Sequence, residues 1–152
     1  MDDILKHTHS GLRWIALILL IVAIAKSFAG MNGNKPYTAG DKKLALFTLI
    51  AMHLQLVIGL ALFFIGKWYV SLPPEVTDAT TKSLHRFFGM EHATGMILAI
   101  GLITAGYSKA KRAATDKAKF KNIAIFFLVG LVLILGSIPW PFMAKFSTLG
   151  WF

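Results

Sequence analysis

Four long, predominantly apolar stretches dominate the chain, and each is long enough to cross a bilayer; the first holds the unbroken run WIALILLIVAIA over residues 14–25. A spanning helix needs roughly 20 predominantly apolar residues, and inside hydrocarbon the backbone must satisfy its own hydrogen bonds. The runs therefore predict helices over about 10–29, 42–65, 84–108 and 120–138. With 152 residues in all, one antiparallel four-helix transmembrane domain accounts for the whole length, and the fold class is all-α membrane protein. Composition agrees: 56% of residues are hydrophobic and 15% charged, where a soluble domain carries about a quarter charged.

The formal charge is +9, a balance that in a soluble protein would raise nucleic acid as a partner. Its distribution points to topology instead. Lys26 with the first connection and the third connection together hold ten Lys/Arg against two acids, and the remaining ends and second connection hold six against five. Cytoplasmic loops are the Lys/Arg-rich ones. Both termini and the second loop are thus expected outside, on the periplasmic side of a bacterial inner membrane. Trp14, Trp68, Trp140 and Trp151 all fall at that outer level, as interfacial tryptophans do. Asp2 and Asp3 stand where a signal peptide would be basic, so the first run is read as a retained helix. Pro139 and Pro141 stop the fourth helix, and the tail FMAKFSTLGWF has the pattern of a short interfacial segment.

Thr38 followed by Asp41 predicts the N-cap of helix two. Gly89/Ala93 and Gly95/Ala99 recur at a spacing that lets helix backbones approach, so helix three is expected to be the most buried of the four.

The chemistry must come from histidine, methionine or an organic cofactor. The chain has no cysteine, which excludes disulfides, thiolate metal sites, covalent c-type haem and cysteine-held iron–sulfur clusters. No serine–histidine–acid arrangement or nucleotide-binding loop is present. Glu91-His92 lies in the outer third of helix three, and ionisable groups at membrane depth usually face the protein interior and mark a site. Depth can be counted from the cytoplasmic lysines at about 1.5 Å per residue. His9 lies seventeen residues from Lys26 and His92 seventeen from Lys109, so both sit roughly 25 Å above that plane. His53, ten residues from Lys43, sits roughly 10 Å lower. Two ligands of one centre need equal height, and helices one and three of an up-down bundle face each other diagonally. His9–His92 is the expected pair.

Arg13 lies one turn below His9, where it would neutralise Glu91 or hold an acidic cofactor group such as a propionate. His7 and His85 lie nearer the water, as interfacial residues do. The plainer reading of His53 is a hydrogen bond across helices to a threonine or to Gln55; that of Arg13 is a side chain reaching for the interface. Imidazole suits haem iron, zinc and copper alike. A haem b site is one expectation; a non-haem zinc, copper or iron site on which His7, His9, Glu91 and His92 converge is another, with His53 a further candidate ligand. A third is a non-catalytic subunit or assembly factor in which the polar cluster only locks helices together.

HTHSGLRWIALILL in the first helix, HLQLVIGLALFF in the second, EHATGMILAIGLITAGYSK in the third and IPWPF after the fourth resemble small four-helix bacterial membrane proteins described as cytochrome b-like. The resemblance implies b-type haem held by histidines, with electron transfer at or near the quinone pool or with respiratory-complex subunits. The matching positions are His7, His9, Arg13, His53, Gln55, Glu91 and His92. Di-haem four-helix cytochromes need two histidine pairs at two heights, and this chain has one, His9 and His92, with His53 unpaired, which implies at most one bis-histidine haem or a haem with a different second ligand.

Overall fold

The computed structural model describes residues 2–149; Trp151 lies outside them. Four helices in it are long and apolar enough to span a membrane, and no strand occurs among the described residues. The spans are α1 (Asp2–Asn32), α2 (Ala39–Ile65), a composite third span, and α5 (Asp116–Ser137). The third span is α3 (Ala79–Arg86), a π-helical turn (Phe87–His92) and α4 (Ala93–Arg112) run together.

The termini of these helices follow from local chemistry. Thr38 caps α2 through a complete capping box: Asp41 N–H donates to Thr38 Oγ1 at 3.3 Å, and Thr38 N–H donates to Asp41 Oδ2 at 2.9 Å. Asp78 caps α3 by accepting from Thr81 N–H at 2.6 Å, and Thr115 caps α5 by accepting from Ala118 N–H at 3.2 Å. These contacts satisfy N–H groups that no carbonyl within the helix can reach. At the other ends, Asn34 (φ 46°) and Lys67 (φ 52°) adopt the left-handed conformation. Each is followed by a residue whose N–H reaches back five positions, Lys35 to Gly30 O at 3.1 Å and Trp68 to Phe63 O at 3.2 Å, which is the Schellman termination.

Two of the helix bounds differ from those expected. The first helix begins at Asp2 rather than Ser10, so His7 and His9 are helical residues on the same rod as Arg13. The third begins at Ala79 rather than Leu84, because the Asp78 cap lies beyond the apolar run that hydropathy detects.

α1 packs against α2 and α5, α4 packs against α2 and α5, and α1 and α4 are therefore diagonal. Leu20, Thr48, Ile103, Ile123 and Phe127 are fully buried between them. Thr48 keeps its hydroxyl satisfied by donating to Leu44 O at 2.9 Å. Small residues do bring backbones together, specifically α4 and α5: a Cβ at Gly95 would meet Ser137, one at Gly106 would meet Phe126, and one at Gly130 would meet Ile103. The third span is nevertheless not the most buried. Within the most apolar stretch of each span, 39% of the first is buried against 22% of the third: α4 packs closely on α5 but only loosely on α2, whereas α1 packs comparably on both of its neighbours. Outside the core, large apolar side chains such as Ile18, Val57, Leu98 and Val132 are exposed, which hydrocarbon tolerates and water does not.

The tail does not lie free on a surface. A short 3-10 turn, Ala144–Phe146, buries Phe146 against Phe87 with ring centres 4.5 Å apart.

Candidate functional site

The end of the bundle that carries Trp14, Trp68 and Trp140 contains a cavity of about 550 Å³, within the roughly 300–1,000 Å³ typical of small-molecule and cofactor sites. Leu17, Met52, Leu56, Met96, Ile100 and Ile134 line its floor and walls, and His9, Arg13, Gln55 and His92 enter it from α1, α2 and the third span. Leu60, Ile65 and Ile97 are both part of its lining and exposed on the outside of the bundle, so the cavity reaches the lipid-facing surface.

His9 and His92 come together across the diagonal, their ring centres 6.4 Å apart and their planes at 72°. Each ring is positioned by different means. His92 ends the π-helical turn, and its Nδ1 lies 2.7 Å from Ser137 O. A carbonyl only accepts, so Nδ1 carries the proton and Nε2 keeps its lone pair for a ligand. Phe87 and Phe88 flank the same ring at 5.8 and 6.0 Å. His9 is held through its backbone: Gln55 Nε2 donates to His9 O at 2.7 Å. Its ring lies against Gly59, where an added Cβ would stand 3.1 Å from Cε1. Among the described residues, His9 Nδ1 and Gln55 Oε1 are buried without a hydrogen-bond partner, one a potential donor and the other an acceptor.

The π-helical turn is the local feature that sequence periodicity missed. A π turn inserts one extra residue into a helix, and such turns concentrate at functional sites. Gly89 sits in the middle of this one, in a position where a Cβ would strike Trp68. The only trace of it in the sequence is that glycine beside the Glu-His pair.

The remaining candidates are placed elsewhere. Glu91 does not neutralise Arg13. Its carboxylate takes Arg86 Nε at 2.8 Å and Lys145 Nζ at 3.8 Å, and it lies on the exposed side of the span while His92, the next residue, lines the cavity. His7 is exposed. His85 packs its ring on Trp68 at 5.7 Å. His53 Nδ1 lies 2.8 Å from Leu49 O, and Nε2 lies 3.5 Å from Thr104 Oγ1 on α4. Arg13 lies over the Trp14 ring at 5.3 Å and lines the cavity beside Lys6. Among the described residues no group of three or more His, Asp or Glu side chains converges on a point. The polyligand zinc, copper or iron site expected from His7, His9, His53, His92 and Glu91 is therefore not assembled.

Residues 2–113 match the family model for eukaryotic cytochrome b561. The chain belongs to the cytochrome b561 family. The match spans α1, α2 and the third span and leaves α5, which supplies Ser137 O, outside it. No curated protein and no solved structure matches the chain. Membership places it among the multi-pass membrane b-type cytochromes, whose business is haem-bound electron transfer.

The residues present fit that cofactor. A metal held by two imidazoles through bonds of about 2 Å needs ring centres about 6 Å apart, and His9 and His92 provide 6.4 Å. The Ser137 carbonyl supplies the outer-shell hydrogen bond that fixes a ligating histidine's tautomer. The surrounding lining is apolar, with the cations of Lys6 and Arg13 at one side.

Proposed function

We propose that this cytochrome b561 family member is a one-haem electron carrier, with haem b held by His9 and His92 and electrons exchanged with the membrane quinone pool. The observation that carries the reading is the diagonal His9–His92 pair, 6.4 Å between ring centres, with the His92 tautomer set by Ser137 O. When bound, haem supplies a reversible one-electron change at iron. The protein's part is to hold and to tune. Gln55 and Gly59 set the position of His9, Phe87 and Phe88 keep water from His92, and the Lys6 and Arg13 cations favour cofactor carboxylates and electron uptake. The lipid-facing reach of the cavity, through Leu60, Ile65 and Ile97, favours a partner that diffuses within the bilayer. The concentration of lysine at the opposite end favours an orientation with the histidine pair on the outer side.

The test is the optical spectrum of the purified full-length protein and three variants. Wild type and His53→Ala are expected to show a reduced b-type α band, whereas His9→Ala and His92→Ala lose it or turn high-spin. A band that survives both His9→Ala and His92→Ala, or one that disappears only in His53→Ala, overturns the assignment.

A further inference from the structure

At the end of the bundle opposite the histidine pair lies a second cavity, of about 250 Å³, lined by Tyr37, Lys42, Tyr107, Lys111 and Lys119 beside the first turn of α2. Lys119 is engaged by Asp116 at 2.9 Å, and Asp41 is engaged by Lys26 at 3.2 Å. Lys42 and Lys111 have no carboxylate within ion-pair distance among the described residues. Tyr37, pushed up to about 12 by burial and by Asp41 and Tyr107, stays a neutral hydroxyl donor at physiological pH. Two ammonium groups and two phenols make a donor-rich lining suited to phosphate oxygens.

What distinguishes a lipid from a soluble anion is the surface that continues from this cavity. Lys42, Leu46, Ile50 and His53 recur at three- and four-residue spacing on α2 and share one face; Lys111, Tyr107, Thr104, Gly101 and Ile97 do so on α4. The two faces meet at His53 and Thr104, 3.5 Å apart. Between and beyond that contact the seam is open. Ile50 and Ile97 are exposed, nothing lies within 4 Å of a Cβ at Gly101, and α2–α4 is the loosest of the four neighbouring helix pairs. Lys42 stands in the first turn of its span and Lys111 in the last turn of its own. Cations thus sit at headgroup level with an apolar furrow running inward from them.

We propose that this cavity binds the phosphate headgroup of an anionic phospholipid, with acyl chain lying along the α2–α4 seam. Basic recesses between spanning helices recognise lipid phosphates in this way, each lysine near the surface contributing on the scale that makes two worth about thirtyfold in affinity.

Native mass spectrometry of the full chain in detergent, titrated with phosphatidylglycerol, phosphatidylcholine or glycerol 3-phosphate, tests it. Wild type is expected to retain one phosphatidylglycerol in preference to phosphatidylcholine. A Lys42→Gln/Lys111→Gln variant loses about thirtyfold in that affinity, and Lys43→Gln/Lys121→Gln, with the same charge loss at the same end, does not. Gly101→Leu, which fills the seam and leaves both lysines, also weakens lipid retention. Equal retention of the two lipids, equal loss in the two lysine variants, unchanged retention in Gly101→Leu, or glycerol 3-phosphate binding as tightly as the lipid overturns the proposal.

Discussion

Single side chains decide two kinds of question in this protein, how close helices come and which way a histidine points. His92 was legible as a candidate because an imidazole at membrane depth is costly without a partner. Its tautomer was not legible, since that depends on Ser137 O, 45 residues away. Arg13 and Glu91, both in the outer part of their helices, looked like a pair; the side on which each emerges is a rotational matter that depth does not contain. Glycines show the same contrast between local and tertiary cause. A Cβ at Gly130 would stand 2.7 Å from Ile103 Cγ1 and 3.2 Å from Ala99 O, whereas one at Gly136 would meet nothing within 4 Å. Gly130→Ala should therefore destabilise the protein by about 1–3 kcal/mol through overpacking. Gly136→Ala should be neutral or gain up to about 1 kcal/mol from reduced backbone freedom. Unfolding midpoints of the two variants in a denaturing detergent titration check the difference.

At the scale of elements, the caps were readable and the π turn was not. Thr38 with Asp41 is a local signal complete within four residues, and the structure forms it. Asp78 is another local signal, although it lies ahead of the apolar run. Hydrogen bonds from Thr81 hold its carboxyl below the usual carboxylate range. A carboxyl whose folded value is depressed contributes above its unfolded value, near about 4, and the contribution is lost as pH falls through the lower folded value. Amide exchange at Thr81 should accordingly be protected at neutral pH, accelerate as the medium is acidified below about pH 4, and be fast at all pH in Asp78→Ala. The π turn has no such local code, because its extra residue is stabilised by what surrounds it: Trp68 against Gly89 on one side and Phe146 against Phe87 on the other. Deleting Met90, an exposed residue within the turn, should let the span run as regular α-helix and rotate α3 by about 100° relative to α4. Far-UV circular dichroism should then be unchanged while the optical spectrum reports weakened haem binding, since Phe87 and Phe88 no longer flank His92.

The whole molecule is asymmetric along its axis. One end gathers the histidine pair, three tryptophans and the larger cavity, and the other gathers lysines around the smaller one. The tail closes the first end: Phe146 is buried on Phe87, and Lys145 lies 4.9 Å over the Phe87 ring and 3.8 Å from Glu91. Phe146→Ala should cost about 3 kcal/mol or more, as deletion of a buried aromatic ring does. The loss should also fall on the histidine end, read as faster exchange in residues 87–92 with the lysine end unchanged.

Apolar runs, lysine distribution and the absence of cysteine by themselves determined four spanning helices, their antiparallel order, and a chemistry confined to histidine, methionine or an organic cofactor. Those are one-dimensional constraints, since a bilayer's thickness sets the length of each run and missing thiols need no geometry to be missing. Counting along helices went one step further and set His9 and His92 at one height, because rise per residue is nearly constant. Rotation and neighbourhood were decided only in three dimensions. The π turn ends at His92, a carbonyl on α5 orients the His92 ring, and Thr104 on α4 lies 3.5 Å from His53. Each depends on contacts between residues more than 40 apart in sequence or on a helix whose period departs from the regular one, and no pattern read along a single segment carries that information.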